Sequence, residues 1–114
     1  MTPTLRTHFD LELHRAAEAH ARGAHQDAWR FLERAHILSQ AHAWPHLRVH
    51  GAMFRWAVQH GDWRELLGQL PRLLLAAPGS WFGRAPLGNT GGANVGIFTP
   101  MDIPEDLRAI LDAR

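Results

Sequence analysis

Apolar residues recur at spacings of three and four along the first 77 positions, and that period predicts four helices. The first runs from about Pro3 to Arg22, with Phe9, Leu13, Ala16, Ala17 and His20 on one stripe and Glu12 beside it. Thr2 or Thr4 suits its N-cap, and Gly23 its left-handed C-terminal cap. The second runs from His25 to Gln40. Ala28, Leu32, Ala35 and Ser39 give it a face for tight packing, with Phe31 and Leu38 flanking. A turn follows over Ala41 to Trp44, and Pro45 suits the first position of a third helix, where a missing N–H costs nothing.

The third helix is expected from Pro45 to about His60. Val49, Met53, Trp56 and His60 line one face, widened by Leu47, Phe54 and Val58. Gly61 ends it. Asp62 caps the fourth helix, and Glu65 three residues on completes a capping box. That helix carries Leu66, Leu67, Leu70, Leu73 and Leu74, and Pro71 inside it predicts a kink or break. The stretch Arg22 to Trp29 is echoed by His60 to Leu66, each joining two helices through a glycine. This is the spacing of a tetratricopeptide-type helix pair.

Beyond Pro78 the period is lost. Glycines and prolines recur up to Pro104 and break any regular element, while Trp81, Phe82, Val95, Ile97 and Phe98 demand burial. An ordered segment that wraps back across the helices satisfies both. Pro104, Glu105 and Asp106 then open a short last helix, with acids at its positive end. The expected fold is therefore all-α, with two antiparallel helix pairs in a tetratricopeptide-like four-helix arrangement. Residues 1–114 form one domain: a helical core over 1–77, a wrapping loop over 78–103 and a terminal helix over 104–114.

Composition narrows the chemistry. The 114 residues suffice for one core. Twelve basic against 11 acidic side chains leave a formal charge of +1 and are mixed along the helices, which argues against nucleic acid as the main partner, since duplex binding usually needs a concentrated basic face. There is no cysteine, which removes disulfides, thiolate metal sites and cysteine nucleophiles. No signal-peptide pattern opens the sequence, and Leu73 to Ala77 is far too short to span a bilayer. A cytoplasmic protein is the default expectation. Nine histidines without a cysteine favour nitrogen and oxygen metal chemistry, which suits Fe, Zn, Cu, Ni or Mn.

Glu33, His36, His46 and His50 concentrate that chemistry. Glu33 and His36 lie three apart, and His46 and His50 four apart, so each pair shares a helix face. An antiparallel hairpin turning near Ala43 sets His36 opposite His50 and Gln40 opposite His46. The expected site is a divalent transition metal held by Glu33, His36, His46 and His50, with Glu12 or His14 close by. A Glu three residues before a His is also the spacing of carboxylate-bridged di-iron bundles, but no second copy is present; a homodimer would supply one by symmetry. The plainer reading is that these are surface and core-edge residues of a histidine-rich chain, within a tetratricopeptide-like interaction module that needs no metal. His8, His20, His25, His42 and His60 are read as surface or packing histidines.

Two further groups are candidates for substrate contacts. Gly88 to Asn94 frees the backbone for an anion-binding nest with Asn89 and Thr90 beside it, though no lysine follows as in a phosphate-binding loop. Its other role is to cap a nearby site. Gln69 and Arg72, with Arg84, could orient a substrate carboxylate or equally pair with a glutamate. Should the protein be an enzyme, the metal would activate water or dioxygen.

The run Leu32 to Gln40, then Pro45, His46 to His50, Gly68 to Leu70 and Gly88 to Gly91, resembles a bacterial family catalogued as domain of unknown function 3703. The resemblance covers nearly the whole sequence, and the loop containing Asn89 is its most distinctive part. It implies one complete domain whose histidine hairpin and glycine loop are shared features. It implies no activity, cofactor or catalytic residue.

Overall fold

The computed structural model describes residues 1–81 and 101–113, and side-chain surroundings for residues 1–72 and 101–113. Among these residues the secondary structure is all helical: α1 (Pro3–Ala21), α2 (His25–Ser39), α3 (Ala43–His60), α4 (Trp63–Trp81) and α5 (Glu105–Asp112). No described helix is long and apolar enough to cross a membrane. Asn89 and Thr90, and the wrapping course expected after residue 81, lie outside the described residues.

Local chemistry sets the boundaries. Thr2 Oγ1 accepts the Leu5 N–H at 3.2 Å and Pro3 takes the first helical position, so α1 begins where orphan donors are fewest. Both glycine turns close in the same way. Gly23 has φ 80°, with Gly23 N–H on the His20 carbonyl and Ala24 N–H on the Ala19 carbonyl. Gly61 has φ 64°, with Gly61 N–H on Val58 and Asp62 N–H on Ala57. This double bond pattern is the Schellman cap, and its left-handed residue favours glycine. Asp62 then starts α4 by accepting the Glu65 N–H on Oδ1 at 3.0 Å. The structural counterpart of the sequence echo is thus this pair of caps.

α1 packs against α2, α2 against α3, and α3 against α4; α5 lies on α1 and α2. Phe9, Ala16, Leu32, Ala35, Val49 and Met53 form the main core, where the small Ala16 and Ala35 let the helices approach. A second cluster of Leu5, Ile37, Leu38 and Leu107 fixes α5. Arg34 anchors the same end: its guanidinium pairs with Asp106 on α5 and with Glu12 on α1.

Several buried faces differ from the expected ones. In α1 the buried positions are Leu5, Phe9, Glu12, Ala16 and Ala19, so the face passes through Ala19 rather than Ala17. In α3, Val58 points to solvent, and the buried line runs Ala43, His46, Val49, His50, Met53 and Ala57. In α4, Leu67 and Leu70 are 64% and 45% exposed, while Glu65, Gln69 and Arg72 are buried. The helix also runs unbroken through Pro71 and on to Trp81, so residues 78–81 are its last turn rather than loop. Pro71 sits on the exposed side of the helix with Leu67 and Leu70. One residue further on, Arg72 Nη1 donates to the Gly68 carbonyl at 2.7 Å.

Candidate metal centre

The turn from α2 to α3 is tight: His42 N–H bonds the Ser39 carbonyl at 2.9 Å, and Ser39 Oγ donates to the His36 carbonyl at 3.1 Å. It folds the end of α2 back on the start of α3. His36 therefore faces His46 and His50, which stand one turn apart on α3. The three Nε2 atoms form a nearly equilateral triangle. Its edges are 2.9 Å from His46 to His36, 3.0 Å from His36 to His50, and 3.1 Å from His50 to His46. All three side chains are buried, at 3%, 6% and 2% exposure for His36, His46 and His50.

Hydrogen bonding alone cannot account for the triangle. Each Nε2 carries either one proton or one lone pair. Whatever the protonation, at least one edge sets two protons or two lone pairs against each other at about 3 Å. In a buried site such an opposition is costly. A cation above the triangle would turn all three lone pairs into ligands, and these histidines form one of the groups able to hold a metal ion.

A chain of partners fixes the histidine proton. Gln69 Nε2 donates to Glu65 Oε2 at 2.7 Å, since a carboxylate oxygen only accepts. The Gln69 carbonyl oxygen is thereby turned to His50 Nδ1, also at 2.7 Å, and accepts its N–H. That leaves His50 Nε2 with a bare lone pair in the triangle. Burial, first, and the neighbouring His46 push the His50 pKa down to about 3, with Arg72 adding to the effect, so the ring is neutral at pH 7. Burial also lowers the Arg72 pKa, against an attraction from Glu65.

The other expected ligands are placed differently. Glu33 is half-buried and belongs to neither three-histidine group among the described residues. Glu12 is buried at 3% exposure, but Oε1 accepts from Arg34 Nε at 3.1 Å and from Arg15 Nη1 at 3.4 Å. His14 is exposed and lies 4.0 Å from Glu18. Gln69 and Arg72 are both buried at the site, Gln69 as the link to His50. Glu65 is the participant that sequence reasoning assigned only to a cap. The signal available was the polar line Glu65, Gln69 and Arg72, at spacings of four and three on a leucine-rich helix.

Fold and site together define a small all-helical protein with a buried three-histidine cluster at one helix hairpin. The chain belongs to the DUF3703 family, described as a protein of unknown function, whose profile matches residues 3–111. No curated protein and no solved structure matches it.

Proposed function

We propose that this is a metal-binding protein in which His36, His46 and His50 hold one divalent transition-metal ion. The single observation that carries the reading is the Nε2 triangle, a buried arrangement that hydrogen bonds cannot satisfy. The Glu65–Gln69–His50 chain supports it, because ligating histidines commonly give their other ring proton to such an orienting partner. Edge lengths speak to coordination. With metal–nitrogen bonds of about 2.0–2.1 Å, edges of 2.9–3.1 Å would let one ion reach all three Nε2 atoms. Three protein ligands would leave room on the ion for water or a substrate, so the site would suit an enzyme that activates water or dioxygen as well as a metal-handling protein.

The fold around this centre reads as two antiparallel helix hairpins, α1–α2 and α3–α4, stacked in the tetratricopeptide manner. That gives the second reading its footing: a groove of about 490 Å³ runs between α1, α2 and α3, lined among others by Leu13, Ala17, Arg48, Ala52 and Arg55. An interaction module would use this groove and leave the histidines as packing. Elemental analysis of untagged protein separates the two. A near-stoichiometric metal that disappears in the His36→Ala, His50→Ala double variant supports the metal centre. Protein that neither carries nor takes up Fe, Zn, Cu, Ni or Mn overturns it.

A further inference from the structure

We propose a second metal site, formed by His20, His25 and His60, that takes a borderline divalent ion such as Zn(II), Ni(II) or Cu(II). It is separate from the triangle: His25 and His36 stand eleven positions apart on α2, about 16 Å at 1.5 Å per residue. His20 closes the last turn of α1, His25 is the first residue of α2, and His60 is the last of α3. The glycine caps bring these three helix ends together. The ring centroids lie 4.3 Å apart for His25 and His60, 5.2 Å for His20 and His25, and 5.5 Å for His20 and His60. Their candidate ligand nitrogens lie within 4.8 Å of one another.

Three observations aim this cluster at a cation. His60 Nδ1 donates to the Trp56 carbonyl at 2.8 Å, which places the proton there and leaves Nε2 a bare donor atom. His20 Nδ1 is buried with no hydrogen-bond partner, a state that ligation would relieve. Two of the three residues sit at helix C-termini, where the free carbonyl ends favour positive charge. His25 is solvent-exposed and held beside His60 by its backbone, since Trp56 Nε1 donates to the His25 carbonyl at 3.2 Å. His20 and Trp56 also line the groove between α1, α2 and α3, which gives an ion a path in.

The donors are neutral nitrogens without thiolate or carboxylate, which selects Zn, Ni and Cu over Mg, Ca and Mn. Because the set is looser and wetter than the buried triangle, it binds more weakly. Trp56 stacks on His60 with centroids 4.3 Å apart and planes 23° apart, so a paramagnetic ion there quenches its fluorescence.

The test is a Zn(II) titration of the apoprotein against a chromophoric chelator, with Cu(II) quenching of tryptophan fluorescence as a second readout. Wild type is expected to bind two ions. His25→Ala should weaken the looser one by about tenfold or more, abolish its share of the quenching, and leave the tighter ion in place. The exposed His14→Ala is the control and should change neither. The His36→Ala, His50→Ala variant should lose the tighter ion and keep the looser one, so the two sites fail separately. Should that variant not fold by circular dichroism, His25→Ala and His60→Gln in the wild-type background decide the matter. A second ion that is absent, or that His25→Ala and His14→Ala affect alike, overturns the proposal.

Discussion

Gln69 accepts the His50 Nδ1–H on its carbonyl oxygen because Glu65 already holds the other end of its amide. The bonds are 2.7 Å on each side, and all three groups are buried. A residue 19 positions away along the chain thus decides which nitrogen of His50 is free. Gln69→Ala should lower metal affinity about 10–100-fold without removing a ligand. Glu65→Ala should do the same, because an amide left unheld can turn its N–H₂ toward His50. Competition with a calibrated chelator reads both; unchanged affinity in the two variants would remove the orienting role.

Acid should destabilise the apoprotein through His50 as pH falls below 6.5. His50 is neutral in the fold, with a pKa of about 3 against an ordinary value of 6.5. Between those values the unfolded chain binds the proton and the folded one does not, so stability rises with pH through this window. The contribution is complete above about pH 6.5 and is lost as pH falls toward 3. Thermal melts of metal-free protein across pH 3.5–7.5 should show this slope, and His50→Gln should flatten it.

Arg34→Ala should cost about 1–3 kcal/mol, because it leaves the buried Glu12 carboxylate with only the half-exposed Arg15 as a charged partner. It also frees α5, whose Asp106 is held below the ordinary carboxylate range mainly by its hydrogen bond from Arg34. Adding Glu12→Gln should restore part of the loss by removing the stranded charge. Denaturant melts of the single and double variants give the comparison, and an equal loss in both would place the cost elsewhere.

Gly61→Ala should cost about 1–2 kcal/mol from backbone alone. A Cβ built there meets nothing within 4 Å, so the φ of 64° is the whole penalty. Gly61→Asn, which tolerates that conformation better, should lose less. A drop in melting temperature that is equal for alanine and asparagine would contradict this.

Met53→Ala, at 0% exposure between α1, α2 and α3, should cost about 2–5 kcal/mol through lost burial and the cavity it leaves. Equilibrium unfolding measures it directly.

The helices and the meeting of His36 with His50 were legible in the sequence, because glycines, caps and a 3.6-residue period are local signals. His36 and His50 do meet, at 3.0 Å. The inner face of α4 was not legible. Leu67 and Leu70 carry the apolar signal there, yet Glu65, Gln69 and Arg72 turn inward, because a polar stripe that finds its own partners can be buried. Periodicity gives the faces of a helix and is silent on which one meets a neighbour when both are plausible. His20, His25 and His60 were read as surface or packing residues for a related reason: they lie on three different helices, and two Schellman caps turn those helix ends to one place.

The triangle draws one corner from α2 and two from α3, joined by a turn so short that His36 and His46 are ten residues apart. An ion seated there would act as a rivet through the hairpin. Its ligands are buried side chains on two packed helices, so releasing all three would require those helices to shift against the core contacts beneath them. Exchange would then run at the pace of local unfolding rather than of ligand dissociation, making the protein a slow keeper of its metal even where its equilibrium affinity is modest.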